Sequence, residues 1–280
     1  MRSSPRISAS FQSSWLAMAL AGLLTVATPV TAHLAGSRGA GPAPQARAMV
    51  AAAVDEAPRA RANPDVEAPA APREPRPRPH LLVDARTGVT AYRHPSRAAA
   101  RLGTVATVSR FYHQRLVWWV EEVVRRGGQA WGRVELPYVA PRRDGWIPLR
   151  GLTRDSTWVT VRVDLSRHEA VVERRGEVVL RVPGATGAAI SPTPPGEYVV
   201  TDHVAFGAGS SLGSFAFGIS GIQPRLPPGW SGGDQLAIHG TNDPSSIGRS
   251  ASAGCVRVSE WALDRFKPLL RQGTPVIIVP

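Results

Sequence analysis

Cysteine is almost missing from this chain: 280 residues carry one, Cys255. A single thiol forms no internal disulfide, so the fold must stand on its core and its hydrogen bonds. Lysine is as scarce, with Lys267 alone among 33 basic residues. The positive charge is therefore almost all arginine. Apolar runs long enough to interest a membrane stop after the first thirty residues, which excludes a multi-span membrane protein. No HExxH pattern and no closely spaced set of His and Cys is present. The sequence thus predicts neither a metal nor any other cofactor.

What is present begins with an address. Arg2 and Arg6 precede an apolar stretch from Trp15 to Val30, and Val30-Thr31-Ala32 fits the small-x-small rule for signal peptidase. Residues 1–32 read as an export signal, with an uncleaved N-terminal anchor as the alternative. Both place the remainder outside the cytoplasmic membrane, in the periplasm or cell wall. Residues 33–79 are rich in Ala, Pro and Arg and have little apolar surface to bury, so they read as a disordered, partly stiff linker. The formal net charge is +12. Its excess lies early: residues 80–157 hold 13 basic and 6 acidic side chains, whereas residues 158–280 hold 11 and 10. An exported basic chain meets anionic wall polymer or a membrane surface rather than nucleic acid.

Residues 80–157 show short apolar runs separated by turn signals: Leu81–Val83, Thr104–Val108, Val117–Val124 and Trp131–Val134. Asp144-Gly145 reads as a turn feeding a last strand at Trp146–Leu149. Such spacing predicts a small β-barrel. Trp131–Val134 and Gly145–Ile147 resemble the late strands of bacterial SH3-like domains. Trp118, Trp119 and Trp146 fit either a core or a ligand platform.

From 158 onward, Trp158–Val163 alternates, with the valines on one face. Ala170–Glu173 and Glu177–Leu180 flank Arg174-Arg175-Gly176 as a hairpin. Ser191–Gly196, with three prolines, forms a rigid corner before a strand at Glu197. Ser259 caps a short helix whose apolar face is Leu263, Phe266, Leu269 and Leu270, with Pro268 interrupting it. Val276–Val279 closes the domain as a strand. The fold class is mainly β, a sandwich or barrel with one short helix.

The chemistry concentrates in Gln235–Thr241 and Ser252–Arg257. A thiol nucleophile needs an imidazole that takes its proton and returns it to a leaving group. His239 ends a strand-like run, and Cys255 follows Gly254, whose backbone permits close approach to a carbonyl. Backbone N–H groups around Gly254 and Cys255 are candidates to meet an oxyanion. On their own, a His and a Cys sixteen positions apart are a weak motif and fit a core histidine and an inert buried thiol better. His203, before the glycine-rich stretch 207–213, fits a structural role or the border of a groove.

His239-Gly240-Thr241-Asn242 followed by Ser252-Ala253-Gly254-Cys255-Val256-Arg257 closely resembles the signature of the L,D-transpeptidases, the YkuD-like family. The 191–196 corner and the strand at Val161–Leu165 resemble features of the same domain. The resemblance covers residues 158–280. It implies Cys255 as the acylated residue and His239 as general base, its other ring nitrogen oriented by the Gly240 carbonyl. Ser252 and Gly254 then shape the loop, and Arg257 holds it or favours an anionic peptide. Many members carry a histidine where Ala253 stands here. The resemblance further implies an enzyme that acts on peptidoglycan stem peptides and makes crosslinks between third residues through a thioester; the chain is expected to be a monomer. Water as acceptor (an L,D-carboxypeptidase), another amine acceptor, or a non-catalytic wall-binding role are the alternatives left open.

Overall fold

Period-two alternation of apolar side chains, not helical periodicity, decides this architecture. The computed structural model describes residues 77–207 and 209–280. The segment read as an export signal, 1–32, and linker residues 33–76 lie outside the described residues. What is described falls within one compact unit.

Residues 80–157 supply eight strands: β1 (His80–Asp84), β2 (Val89–Tyr92), β3 (Arg101–Val105), β4 (Trp118–Val120), β5 (Glu122–Arg126), β6 (Gln129–Glu135), β7 (Asp144–Pro148) and β8 (Thr153–Thr157). They form a three-stranded sheet in the order β4-β1-β8 and a five-stranded sheet in the order β3-β2-β7-β6-β5. Val83, Ala91, Trp118, Val134 and Ile147 share one buried cluster.

Three boundaries differ from the sequence reading, each for a physical reason. The run Val117–Val124 is split at Glu121, because β4 pairs with β1 whereas β5 pairs with β6. Glu121 itself is tied to Arg142 and, at 3.2 Å, to Arg133. The run at Thr104 starts earlier, at Arg101, and Val108 makes only an isolated bridge to Arg115. Asp144 and Gly145 open β7 rather than form a turn, since Glu135 and Val134 of β6 extend the ladder to meet them.

The remaining strands are β9 (Val159–Asp164), β10 (Glu169–Arg174), β11 (Glu177–Gly187), β12 (Gly196–Ala205), β13 (Phe215–Ile222), β14 (Gln235–His239), β15 (Ser250–Ser252), β16 (Val256–Val258) and β17 (Pro275–Val279). Their order is β10-β9-β17-β12-β13-β14-β16-β11-β15, and a further β10–β11 pairing closes the sheet into a barrel with β15 appended outside. The β10–β11 hairpin turns on Arg175 (φ 58°) and Gly176 (φ 83°), the two positive φ values that a type I′ turn requires. Val161, Val172, Phe217, Ile219, Ile238 and Val258 fill the barrel core. One helix, α1 (Glu260–Phe266), closes its side among the described residues. Ser259 caps it by accepting from the Ala262 N–H, and Pro268 stops it from running on.

The two groups of strands meet through a polar, largely buried seam. Glu135 of β6 and Ser220 of β13 share a hydrogen bond, and the Tyr138 N–H donates to the Ser220 carbonyl at 2.7 Å. Gln114 clasps the His203 backbone from both sides, at 2.8 and 3.0 Å. Ser109 donates to Asp202 of β12, and both residues are buried. Arg110 pairs with Asp234 at 3.2 Å, just before the strand that carries His239.

Candidate active site

The sheet brings the two signature segments together. β14 and β16 are adjacent and parallel, with Ile238 opposite Val256 and His239 opposite Arg257. A parallel pair needs a crossover. Here it is the segment 240–255, which contains a short 3-10 turn at Pro244–Ser246 and the outer strand β15. Leu236, Ile238, Val256 and Val258 point into the core. Alternation therefore puts His239, Cys255 and Arg257 together on the outer face.

His239 is nonetheless buried, at 3% exposure. Its Nδ1 lies 2.5 Å from the Gly240 carbonyl oxygen. A carbonyl only accepts, so Nδ1 carries the proton of the neutral ring and Nε2 keeps its lone pair. Burial pulls its pKa down to about 4; the Gly240 and Leu212 backbone pulls the other way and the Arg257 guanidinium adds to the fall. The loop over the ring is held by Glu260, which accepts from the Ser214 N–H at 3.1 Å and from its hydroxyl at 2.5 Å. Gly213 and Gly240 pack so closely that a Cβ on either would collide with Glu260 and with the other glycine.

Cys255 is half-buried, with Sγ 3.9 Å from the Gln235 carbonyl oxygen. Burial pushes the thiol pKa up, opposed by smaller pulls from the Ala237 backbone and the Arg257 charge. Thiol and imidazole both rest neutral at pH 7. The pair is therefore suited to move the proton during attack rather than to hold a preformed thiolate.

The loop before the thiol is pinned internally. Ser252 Oγ accepts from the Gly254 N–H at 3.0 Å and donates to the Cys255 carbonyl at 2.5 Å. The Gly254 N–H is thus engaged within the loop rather than held free, which leaves the Cys255 N–H as the remaining candidate oxyanion donor of the two considered. Gly254 has φ +116°, and an added Cβ would strike the Gln223 amide. Gly254→Ala is expected to cost about 1–3 kcal/mol in a thermal or denaturant melt, from backbone strain alone. It should also lower turnover further than the stability loss explains, by displacing Cys255. Wild-type turnover in the variant would contradict this.

Four residues, Ser191, Gln223, Gln235 and Asp202, brace the site through contacts that the sequence did not indicate. The Ser191 hydroxyl lies 2.6 Å from the Arg225 carbonyl and 2.9 Å from that of Ala253. Gln223 Nε2 reaches the Pro192 carbonyl at 2.9 Å and Ala253 at 3.4 Å. Together they stitch the proline corner to the residue just ahead of Gly254. Gln235 Nε2 donates to Asp202 Oδ2 at 2.9 Å, so the strand against which the thiol rests is anchored to the carboxylate that Ser109 also holds. A lone glutamine or serine in a loop has no periodicity to betray it. His203 packs edge-on against Phe217 at 5.2 Å. Arg257 is half-buried, with Nε lacking a partner among the described residues.

Residues 159–278 match the family model described as the YkuD L,D-transpeptidase catalytic domain. The chain is 28% identical over 120 residues to the YkuD protein of Bacillus licheniformis, and 25% identical over 118 residues to that of Bacillus subtilis, both named as L,D-transpeptidases. These alignments cover 43% and 42% of this chain and 65% and 64% of the relatives, so the chain spans just under two thirds of their length. A solved L,D-transpeptidase from Mycobacterium smegmatis is similar at 17% identity over 71% of this chain and 99% of that one, with a TM-score of 0.38. The C-terminal barrel is thus similar to the YkuD L,D-transpeptidase catalytic domain over residues 159–278, the segment that carries the signature.

Proposed function

We propose that the protein is an exported cysteine acyltransferase that crosslinks peptidoglycan stem peptides between their third residues. The observation that carries this reading is the parallel β14–β16 register, which sets His239 opposite Arg257, two residues from Cys255, with the His239 Nδ1 tied to the Gly240 carbonyl. The donor is a stem tetrapeptide ending in D-alanine. Cys255 Sγ attacks the carbonyl of the third, diamino-acid residue while His239 Nε2 takes the thiol proton. The Cys255 N–H meets the developing oxyanion. The C–N bond then breaks, D-alanine leaves with the proton from His239, and a thioester remains. The side-chain amine of a neighbouring stem attacks the thioester and passes its proton to His239. The amide forms, and the sulfur recovers that proton. The donor's own peptide bond supplies the acyl group, so no nucleotide or metal takes part. Arg257, beside both reacting side chains, favours an anionic stem peptide.

Residues 80–157 serve this reading as an SH3-like accessory domain, with 1–32 as export signal or anchor and 33–79 as the reach to the wall. Among the described residues no helix is long and apolar enough to cross a membrane.

Disaccharide tetrapeptide incubated with the protein, with muropeptides followed by mass spectrometry, tests the acceptor. A dimer linked between third residues is expected. Tripeptide and free D-alanine without dimer would make water the acceptor and the enzyme an L,D-carboxypeptidase. Neither product would leave a wall-binding role.

A further inference from the structure

All six carboxylates of residues 80–157 are engaged away from one particular cleft. Asp84 pairs with Arg115, and Asp155 with Arg271 at 2.7 Å. Glu121, Glu122 and Asp144 gather around Arg133 and Arg142. Glu135 is buried against Ser220. The arginine excess of this region is left without acid, and part of it converges.

A polar cleft of ≈ 380 Å³ opens between the β1–β2 turn, the loop after β2 and the segment joining β7 to β8. Arg86, Arg97 and Arg150 line it from these three separate segments, with the hydroxyl-bearing Thr87 and Thr153 between them. All three arginines are exposed. None makes an ion pair among the described residues, whereas Arg110, Arg115, Arg133 and Arg142 elsewhere in the region all do. No acidic residue lines the cleft.

We propose that this cleft is a second binding site, which takes a phosphodiester-linked polyanion and holds the enzyme on it. A guanidinium offers a fixed fork of N–H donors that suits phosphate oxygens. Three forks arriving from different sides fit a tetrahedral phosphate better than a carboxylate, whose two oxygens lie in one plane. A polymer fits better than a bilayer, because none of the lining residues is an exposed large apolar side chain able to enter lipid. The site is separate from Cys255 and does not depend on the reaction proposed for it.

The test is calorimetric titration of the full chain with a short glycerol-phosphate oligomer across a range of salt, with inorganic phosphate and anionic phospholipid vesicles as parallel probes. Two triple variants of equal charge are compared: Arg86→Gln/Arg97→Gln/Arg150→Gln in the cleft, and Arg125→Gln/Arg126→Gln/Arg143→Gln on exposed surface outside it. The cleft variant should weaken oligomer binding by about tenfold or more and reduce the slope of log K against log salt by about 2, as loss of three phosphate contacts requires. The outer variant should bind nearly as the wild type does. A matching melting temperature in the two variants separates lost binding from lost folding. Equal weakening in both, no binding of the oligomer by wild type, free phosphate binding as tightly as the oligomer, or binding to vesicles alone would each overturn the proposal.

Discussion

Cys255→Ala is expected to abolish D-alanine release and crosslinking while leaving the fold intact. The chain has no second thiol to substitute. The side chain is half-buried, and its polar contacts are weak: the 3.9 Å approach to the Gln235 carbonyl and the smaller pulls of the Ala237 backbone and the Arg257 charge. Its removal costs little packing, and the loop stays pinned by Ser252 and Gln223. Melting temperature and secondary-structure content should match the wild type to within a few degrees. Residual turnover above background in a folded variant would contradict the assignment of the nucleophile.

His239→Gln is expected to lower kcat/KM by about 10²–10⁴-fold, the usual weight of general acid–base catalysis. Glutamine retains much of the ring's bulk and still reaches toward the Gly240 carbonyl, but it cannot accept the thiol proton. In the wild type the acid limb of the rate profile should fall near pH 4 rather than near 6.5, because burial holds the imidazole neutral down to about 4. Stability follows the same displacement. An unfolded chain takes up this proton near 6.5 and the folded one only near 4, so between these values acid favours unfolding. The contribution is complete above 6.5, and its loss reaches about 3 kcal/mol once pH has fallen below 4. Glu135, pushed up to about 8 by burial, and Glu121, pushed up to about 7, act oppositely as pH rises from 4.5. The His239 part must therefore be read as the difference between wild type and variant in unfolding free energy at pH 7 and pH 4.5. No change in that difference, or an acid limb near 6.5, would show that the ring is not buried neutral.

Much of the barrel was legible because a strand with one buried face writes a period-two pattern into its sequence. Val159, Val161 and Val163 are all core, and the Arg174-Arg175-Gly176 hairpin and the Ser259 cap are local events that need no tertiary knowledge. Thr160 broke the pattern: His80 lies 2.8 Å from its hydroxyl and covers it. Around residues 101–126 the boundaries shifted because the chain changes sheets at Glu121, a choice made by distant partners. At the site, the signature names His239 and Cys255, but their adjacency is a property of the β14–β16 pairing. The bracing by Ser191, Gln223 and Asp202 depends on contacts between residues as much as 93 positions apart. Such contacts leave no local mark.

The central claim is that a stem peptide becomes covalently attached to Cys255. The direct measurement is intact-protein mass spectrometry after rapid mixing with a tetrapeptide donor whose diamino acid is blocked at its side-chain amine, followed by peptide mapping. The expected result is a mass increase equal to the donor minus D-alanine, located on Cys255 and absent from Cys255→Ala. No adduct while D-alanine is released, or an adduct that persists in the alanine variant, would contradict it.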